Sequence, residues 1–252
     1  MDGPAPEHRE AQVFTAENFS QLKLNNKLQE ILAERGFDKL TSVQKEGIPA
    51  LCQHKNVVLK SETGSGKTLA YLVPLLEHLS KYSLEVEKIS RDKGTYAVIF
   101  SPTRELCTQI EVEMQKLLKL FNYVLCGTIM GGENPKKEKA KLRKGLTVVV
   151  CTPGRLLYHL QNTQSIEFSR LQTIIIDEAD RLLDMGFEKE MTQCLEQLKK
   201  RCPSKFTAEK DLFHSDSLKV HFVSATLSDK VETLGAKMMK DYLTVGFQQS
   251  QE

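Results

Sequence analysis

The sequence predicts an α/β fold in which a single doubly wound parallel sheet carries helices on both of its faces. Short β-branched runs alternate along the chain with helix-like segments, which is the pattern of repeated βα units. The runs are apolar without interruption, as at Ile174–Ile176, which is typical of strands buried on both faces. Hydrophobic residues make up 40% of the 252 residues, enough to supply a core.

Each predicted element follows from this alternation. The predicted strands are NVVLK (56–60), YAVIF (96–100), YVLCGTIM (123–130), LTVVVC (146–151), TIIID (173–177) and VHFVSA (220–225). The predicted helices are 22–35, 43–53, 67–80, 104–120, 134–143, 154–162, 187–200 and 228–240. Because right-handed crossovers bring the ends of parallel strands to one edge, we expect the chemistry in the loops that follow the strands.

Outside these elements, four segments have a different character. Residues 1–17 are polar and contain proline and glycine, which predicts a flexible N-terminal segment before a domain at 18–246. The polar stretches 81–95 and 202–219 are predicted to be surface insertions. Residues 247–252 are predicted to begin a linker.

Composition narrows the classes of function. The net charge of +2, from 35 basic and 33 acidic residues, means that any contact with nucleic acid has to be local. The six cysteines form no CxxC pair and the histidines lack metal-site spacing, so reduced thiols of an intracellular protein are expected, and zinc is not. No apolar run approaches the roughly 20 residues that span a bilayer, and the N-terminus lacks a signal peptide's apolar region. Membrane and secretory roles are therefore not expected.

The loop after the first predicted strand reads SETGSGKT (61–68), which fits a phosphate-binding loop although its first position is Ser rather than Gly. Gly64 and Gly66 permit the positive φ that wrapping a phosphate requires, Lys67 can reach the terminal phosphates, and the Thr68 hydroxyl suits Mg²⁺. A glycine turn and helix C-cap that match the pattern by chance are the alternative, but the strand before and the helix after favour a nucleotide site. The candidate nucleotide-binding residues of this loop are Thr63, Gly64, Ser65, Gly66, Lys67 and Thr68.

Three carboxylates, those of Asp177, Glu178 and Asp180, follow the apolar run Ile174–Ile176, and such a cluster needs a counter-charge. Asp177 can hold Mg²⁺ together with Thr68, usually through water. Glu178 can orient and deprotonate a water in line with the γ-phosphate, so Lys67, Asp177 and Glu178 are the candidate catalytic residues. Asp180 is then free to accept bonds elsewhere. The candidates for this coupling are the hydroxyls of Ser224 and Thr226 in the segment SAT, for which helix capping is the plainer alternative.

Three further strand ends combine small residues with arginine: SPTREL (101–106), GG (131–132) and TPGR (152–155). Each alone is compatible with ordinary helix capping. Together they place helix N-termini and two guanidinium groups along one edge, which suits a phosphodiester backbone without base reading. The candidate RNA-binding residues are Pro102, Thr103, Arg104, Gly131, Gly132, Thr152, Pro153, Gly154 and Arg155.

These segments, taken in order with their spacing, resemble the DEAD-box ATP-dependent RNA helicase family over about residues 19–246. The resemblance implies a RecA-like domain, the N-terminal one, of a monomeric RNA helicase and ATP phosphohydrolase that uses ATP and Mg²⁺ and contacts the RNA backbone. It also implies an adenine-reading element at 19–44, in which Gln44 would bond the adenine edge, Phe37 would pack on the ring and Phe19 is the upstream aromatic. Leu40 stands where the family usually has proline.

Within the family, the segments LTSVQ, MGGENPKKEKAKLRKG and HLQNTQSIEFSRLQ look most like eukaryotic members that act in nucleolar assembly of the large ribosomal subunit. This resemblance implies a nuclear, nucleolar protein whose partners include pre-ribosomal RNA and assembly factors. For the basic run at 136–144, a solvated amphipathic helix with Ala140 and Leu142 inward is favoured over a specific RNA contact.

The family's working unit joins two RecA-like domains, and the second, which supplies arginine fingers, is expected to be absent from this chain. An arginine finger contributes roughly 10³ to 10⁵ in phosphoryl-transfer rate, so the chain is expected to bind nucleotide, hydrolyse it poorly and hold RNA weakly. Two alternatives remain open. A P-loop kinase or DNA helicase is one, with Gln44 and the acidic tetrad against the kinase, and a non-hydrolysing nucleotide-gated scaffold is the other, with Glu178 against it.

Overall fold

The structure, a computed structural model, describes residues 14–53, 56–164, 166–202, 218–239 and 241–246. Residues 1–13, the predicted linker at 247–252 and the interior of the predicted insertion at 202–219 lie outside these ranges. The strands are β1 Phe14–Asn18, β2 Lys39–Thr41, β3 Asn56–Lys60, β4 Ala97–Phe100, β5 Cys126–Ile129, β6 Val148–Cys151, β7 Thr173–Asp177, β8 Lys219–Ser224 and β9 Leu243–Val245. The helices are α1 Asn26–Glu34, α2 Ser42–Gln53, α3 Lys67–Glu85, α4 Arg104–Leu117, α5 Pro135–Lys144, α6 Pro153–Asn162, α7 Ala179–Asp184, α8 Glu188–Arg201 and α9 Asp229–Met238.

A parallel sheet of seven strands forms the centre of the molecule, in the order β5, β6, β4, β7, β8, β3, β9. All the strands predicted from the sequence lie in it, and the predicted α/β fold is confirmed. The ends of β3, β8 and β7 are neighbours on one half of the sheet edge, and those of β4, β6 and β5 lie on the other half. We call these the acidic half, which carries Asp177, and the arginine half, which carries Arg104 and Arg155.

Both faces of the sheet are buried, because side chains alternate between two apolar layers along each strand. In β7, Ile175 packs into the layer that contains α1 to α4, whereas Ile174 and Ile176 pack with α5 to α9. The burial predicted from the isoleucine run is therefore confirmed. Asp177 ends this strand at the sheet edge and is itself only 2% exposed.

Two parts of the sequence prediction were wrong at their boundaries. Residues Phe14–Asn18 form β1, which pairs antiparallel with β2, so the structured part of the chain begins earlier than residue 18. The hydroxyl of Thr15 reinforces this pair by donating to the Leu40 carbonyl at 3.0 Å. The stretch 81–95 is not wholly an insertion, because α3 continues through Glu85 and two apolar side chains of this stretch, Tyr82 and Ile89, are buried in the core.

Short elements were missed altogether. The sequence predicted none of β1, β2, β9 or α7, because three to six residues carry too little periodicity. The helices that the structure describes include none that is both long and apolar enough to cross a membrane. The cysteines are free thiols, and all except Cys52 are buried, which agrees with the predicted reduced and mostly buried state.

Candidate nucleotide and nucleic-acid site

A cavity of about 460 Å³ lies at the acidic half of the sheet edge. The phosphate loop, α4 and the start of α7 form its walls. Its lining residues are Thr63, Gly64, Gly66, Lys67, Thr68, Leu106, Gln109, Ile110, Asp177, Glu178 and Arg181. The structure therefore brings most of the predicted phosphate-loop residues together with the two carboxylates that end β7.

The phosphate loop has the backbone conformation that its glycines allow. Gly64 and Gly66 have φ values of +81° and +88°, as the sequence predicted. A Cβ at Gly66 would lie 2.6 Å from Nε2 of Gln44, so close packing as well as φ requires glycine there. Ser65 does not line the cavity; its hydroxyl donates to the Glu62 carbonyl at 2.7 Å and bonds to the hydroxyl of Ser61.

Glu178 is held between two cations. Its Oε1 lies 3.3 Å from Nζ of Lys67, and its Oε2 accepts from Nη1 of Arg181 at 3.0 Å. Its backbone is unusual, because φ is +50° in a residue other than glycine, a conformation that costs free energy and persists only where its surroundings impose it. The turn between β7 and α7 imposes it here and aims the carboxylate at the phosphate loop.

Asp177 is buried and bonded on both oxygens. Oδ2 accepts from the Tyr71 hydroxyl at 3.1 Å and Oδ1 from the Glu178 amide at 3.0 Å. Burial raises the pKa of Asp177 to about 6, and the charge of Lys67 opposes this rise. Burial, with Asp177 as a further cause, also raises the pKa of Tyr71 well above its ordinary value. Tyr71 is thus a neutral donor to the carboxylate.

Asp180 joins α7 to the segment that follows β8. Its Oδ2 accepts from both the amide and the hydroxyl of Thr226 at 3.0 Å, and its own amide donates to the Ser224 hydroxyl at 3.1 Å. Ser224 in turn donates to the Thr226 carbonyl at 2.8 Å. Burial alone would raise the pKa of Asp180, but hydrogen bonds from Arg181 and Thr226 lower it. The three residues are brought together, while their role in coupling stays a prediction.

Of the predicted adenine-reading residues, Gln44 contacts the phosphate loop, whereas Phe19 and Phe37 pack against each other, and none of the three lines the cavity. Gln44 is buried; its Oε1 accepts from the Thr41 amide at 3.0 Å and its Nε2 donates to the Gly66 carbonyl at 3.1 Å. The rings of Phe19 and Phe37 lie 6.2 Å apart, and Phe19 is 3% exposed. Phe37 is half-buried and is the more accessible of the two rings for a ligand. Leu40, at the usual proline position, is buried within β2.

On the arginine half, the three strand-end loops each open a helix. The Thr103 hydroxyl caps α4 by accepting from the Leu106 amide at 3.3 Å, and Pro153 begins α6. Arg104 is exposed and covers Gly132, where a Cβ would lie 2.3 Å from its Nη1. Pro102 is buried, Thr152 is half-buried, and Gly131 and Gly154 have open space where a Cβ would be. These loops therefore cap helices and also leave residues such as Arg104 exposed at the sheet edge.

Arg155 is more enclosed than the sequence suggested. Its side chain is 16% exposed; Nε donates to Oε2 of Glu138 at 2.5 Å, Nη2 donates to the Glu133 carbonyl at 3.3 Å, and the guanidinium lies 4.9 Å from the Tyr158 ring centre. Helix α5, predicted as a solvated amphipathic helix, does turn Leu142 inward. It also buries Glu138 completely, which the prediction missed, while Ala140 is half-buried.

Three residues of the site escaped the sequence reasoning, although spacing could have found two of them. Tyr71 lies four residues after Lys67 and Arg181 three after Glu178, so each shares a helix face with a predicted residue. Glu138 is the acidic residue within the basic run KKEKAKLRK. Such a residue is typical of a surface ion pair on a helix, so the sequence carries no signal of its burial.

The fold and the phosphate-loop geometry define a P-loop domain of the RecA-like class. The family model described as DEAD/DEAH box helicase matches residues 41–234. The chain belongs to the DEAD/DEAH box helicase family.

Individual relatives agree with this assignment. The chain is 39% identical over 238 residues to ATP-dependent DNA helicase DDX31 of Dictyostelium discoideum, covering 94% of this chain and 25% of the relative. It is 41% identical over 224 residues to ATP-dependent RNA helicase has1 of Schizosaccharomyces pombe, covering 89% and 35%. It resembles the crystal structure of the RNA-helicase Prp28 from Chaetomium thermophilum bound to ADP, with a TM-score of 0.74 and 27% identity, over 100% of this chain and 59% of that one. The chain thus spans between a quarter and about a third of these curated relatives.

Proposed function

We propose that residues 18–246 form the ATP-binding domain of an ATP-dependent RNA helicase that couples ATP hydrolysis to local separation of RNA strands or to remodelling of RNA–protein particles. The observation that carries the proposal is the 3.3 Å contact between Lys67 and Glu178 across the cavity, because it sets the phosphate loop against the acids that end β7. ATP bound in this cavity would put its phosphates between those two side chains.

In this account, Lys67 exchanges Glu178 for the terminal phosphates of ATP. Glu178, released from one of its two cations, is then available to take a proton from the attacking water. The residues present fit Mg²⁺, since Asp177 supplies a buried carboxylate and the Thr68 hydroxyl lines the same cavity. When bound, Mg²⁺ neutralises charge on the phosphate oxygens. The bond between Asp180 and Thr226 would couple the binding and hydrolysis of the nucleotide to the position of the segment after β8.

The chain by itself is proposed to hydrolyse ATP slowly. Among the described residues that line the cavity, the arginine is Arg181, and its guanidinium is already bonded to Glu178. A guanidinium that stabilises transferring charge has to meet the phosphate rather than the catalytic base. A steady-state phosphate-release assay on the 252-residue chain tests this, and turnover equal to that of the full-length protein would contradict it.

A thermal-shift titration tests nucleotide binding and its base preference. Ligand at about 100 times its dissociation constant should raise the free energy of unfolding by roughly 2.7 kcal/mol. ADP or AMP should stabilise the chain and GTP should not, because Gln44 and Phe37 are proposed to read adenine. Equal stabilisation by GTP would refute the adenine role of these two residues while leaving the phosphate loop in place.

Nucleic acid is proposed to lie along the arginine half of the sheet edge, held through its phosphates. RNA is our first choice of polymer and DNA the second, the latter favoured by the name ATP-dependent DNA helicase that one relative carries. The discriminating measurement is ATP turnover of the full-length protein with single-stranded RNA or DNA of matched sequence. Stimulation by DNA alone would overturn the choice of RNA.

The biological setting is proposed from the subgroup resemblance: a nucleolar protein that acts on pre-ribosomal RNA with assembly factors of the large ribosomal subunit. The segment 130–145, which carries part of that resemblance, forms the loop after β5 and the whole of α5. Sedimentation of the tagged full-length protein with large-subunit precursors is expected. Exclusion from nucleolar particles would contradict this setting and leave the enzymatic proposal intact.

A further inference from the structure

The carboxylate of Glu138 is a feature of the arginine half that the proposed function leaves unexplained. Its side chain is 0% exposed. Oε1 accepts from the Met130 backbone amide at 2.9 Å, while Oε2 accepts from Nε of Arg155 at 2.5 Å and lies 3.0 Å from Nε2 of His159. One buried carboxylate therefore joins the backbone at the end of β5 to two side chains of α6.

Burying a carboxylate is costly unless its partners replace the water that it loses. Here one bond comes from the backbone after β5 and two come from α6, and His159 is itself bonded through Nδ1 to the Thr163 hydroxyl at 3.0 Å. The start of α5 is fixed as well, since the Asn134 side chain caps it by accepting from the Lys136 amide at 2.9 Å. The network is local, buried and bonded at each oxygen of the carboxylate.

Arg155 is held on three sides by this arrangement. Glu138 accepts from Nε, the Glu133 carbonyl accepts from Nη2, and Tyr158 covers the guanidinium face. A guanidinium has five N–H donors in a rigid plane. Among the described residues, these bonds use Nε and Nη2 and leave the Nη1 edge for a further acceptor. The plane is fixed before any ligand arrives, which is the condition for bidentate or edge-on contact with a phosphate.

Residues 130–138, which run from the end of β5 into the first turn of α5, also contact Arg104, the other arginine of this half. The guanidinium of Arg104 lies over Gly132, and the Thr108 hydroxyl lies 3.9 Å from the sulfur of Met130. Residues 130–138 therefore lie between the two arginines. Their position sets both guanidinium groups relative to one backbone.

We propose that Glu138 is a positioning residue that fixes the guanidinium of Arg155 for a phosphate of a bound single strand. The inference rests on the proposed function, because it requires nucleic acid on this edge. The inference also predicts the direction in which the affinity for nucleic acid changes when the charge of Glu138 is removed. A negative charge that merely lies near a phosphate site weakens binding, so its removal would tighten the complex. A positioning carboxylate has the opposite effect, because its removal loosens the arginine.

The test is the affinity of the 252-residue chain for a labelled single-stranded oligouridylate, measured by fluorescence anisotropy at several salt concentrations. Glu138→Gln should weaken binding about tenfold, as expected for loss of a charged hydrogen bond. It should also reduce the slope of log affinity against log salt by about 0.7, the value for one phosphate contact on a single strand. ADP-dependent thermal stabilisation, a property of the acidic half, should persist and shows that the fold is intact.

The matched control is Glu133→Gln. It removes a carboxylate from the same segment, where Glu133 pairs with Lys141 at 3.1 Å, but it keeps the backbone carbonyl that Arg155 bonds. This variant should bind the oligouridylate at least as tightly as the unmodified chain. Binding by Glu138→Gln that equals or exceeds that of the unmodified chain would overturn the inference.

Arg155→Lys is the second variant, informative even if Glu138→Gln does not fold. It keeps the charge but loses the rigid fork, so it should also weaken binding about tenfold. In the double variant, Glu138→Gln should add no further loss, since it acts through Arg155. Full affinity of Arg155→Lys, or additive losses in the double variant, would refute the inference. An unmodified chain that binds neither RNA nor DNA would overturn the proposed function itself, and the inference with it.

Discussion

Two buried glutamates mark the two halves of the sheet edge, and they are held in opposite ways. Glu178 lines an open cavity, has a strained φ of +50° and bonds to two cations, of which the proposed nucleotide would take Lys67. Glu138 lies in the first turn of α5, has no exposed surface and bonds to a backbone amide as well as to side chains. The contrast suggests that the acidic half is built to exchange partners and the arginine half to keep them.

The largest effect should come from removing the base of the acidic half. In the full-length protein, Glu178→Gln should retain ATP binding and lower turnover by roughly 10² to 10⁴, the range of a general base. Phosphate release under saturating ATP and RNA measures this. Glu138→Gln is the comparison variant and should keep much more of its turnover once RNA is saturating. Unchanged turnover in Glu178→Gln would refute its assignment.

The free energy of unfolding should respond in the reverse order, because Glu138→Gln should lower it more than Glu178→Gln. Glu138→Gln should lower the free energy of unfolding by roughly 3 kcal/mol, because breaking a buried ion pair leaves Arg155 without its partner. Glu178→Gln should cost less, because Lys67 lines the cavity, where water can reach its ammonium group. Urea unfolding of the 252-residue chain measures both. Equal costs would contradict the distinction between the two halves.

A smaller effect is expected from the glycine that Arg104 covers. Gly132→Ala should destabilise the chain by about 1–2 kcal/mol, because φ is +90° and the new Cβ would displace the guanidinium. Gly131→Ala is the matched control, since open space surrounds its Cβ position and its φ is not positive, and its effect should be close to zero. If both variants unfold at the same urea concentration, the packing of Arg104 on Gly132 does not contribute to the free energy of unfolding.

The last prediction concerns His221, which is buried, and His78, which is half-buried; within the described part of the chain, Nδ1 of His221 and Nε2 of His78 have no hydrogen-bond partner, unlike either glutamate. Burial is the main cause that lowers the pKa of both His78 and His221 to about 3, with Lys219 adding to it. The unfolded chain, with an ordinary pKa near 6.5, binds protons that the folded chain excludes. The free energy of unfolding should therefore fall as the pH falls below about 6.5. His221→Leu should flatten that slope in urea unfolding at several pH values, and an unchanged slope would contradict this origin.

The sequence predicted the fold well because uninterrupted β-branched runs alternate with helices long enough to show a period. It located Lys67, Asp177, Glu178 and Asp180 because strand ends of a parallel sheet converge at one edge, a rule that needs no coordinates. It did not predict the partners of these residues. The bond of Tyr71 to Asp177 joins residues 106 positions apart, and the bond of Arg155 to Glu138 depends on how α5 packs against α6.

The short elements were also missed because contacts between distant residues, rather than local sequence, stabilise them. Strands β1 and β2 are stabilised by each other rather than by their own pattern, so neither could be seen alone. The enclosed state of Arg155 likewise could not be read from TPGR, which specifies a helix start but not its neighbours. Local sequence determined which groups stand at the edge, and tertiary packing determined which of them are free.

Calorimetric titration of the 252-residue chain with ATP and Mg²⁺ measures whether nucleotide binds between the phosphate loop and the carboxylates of Asp177 and Glu178. We expect binding by the unmodified chain, loss of binding in Lys67→Ala, and binding by Glu178→Gln that is at least as tight, since this change frees Lys67. Equal affinity of Lys67→Ala and the unmodified chain would refute this location of the nucleotide.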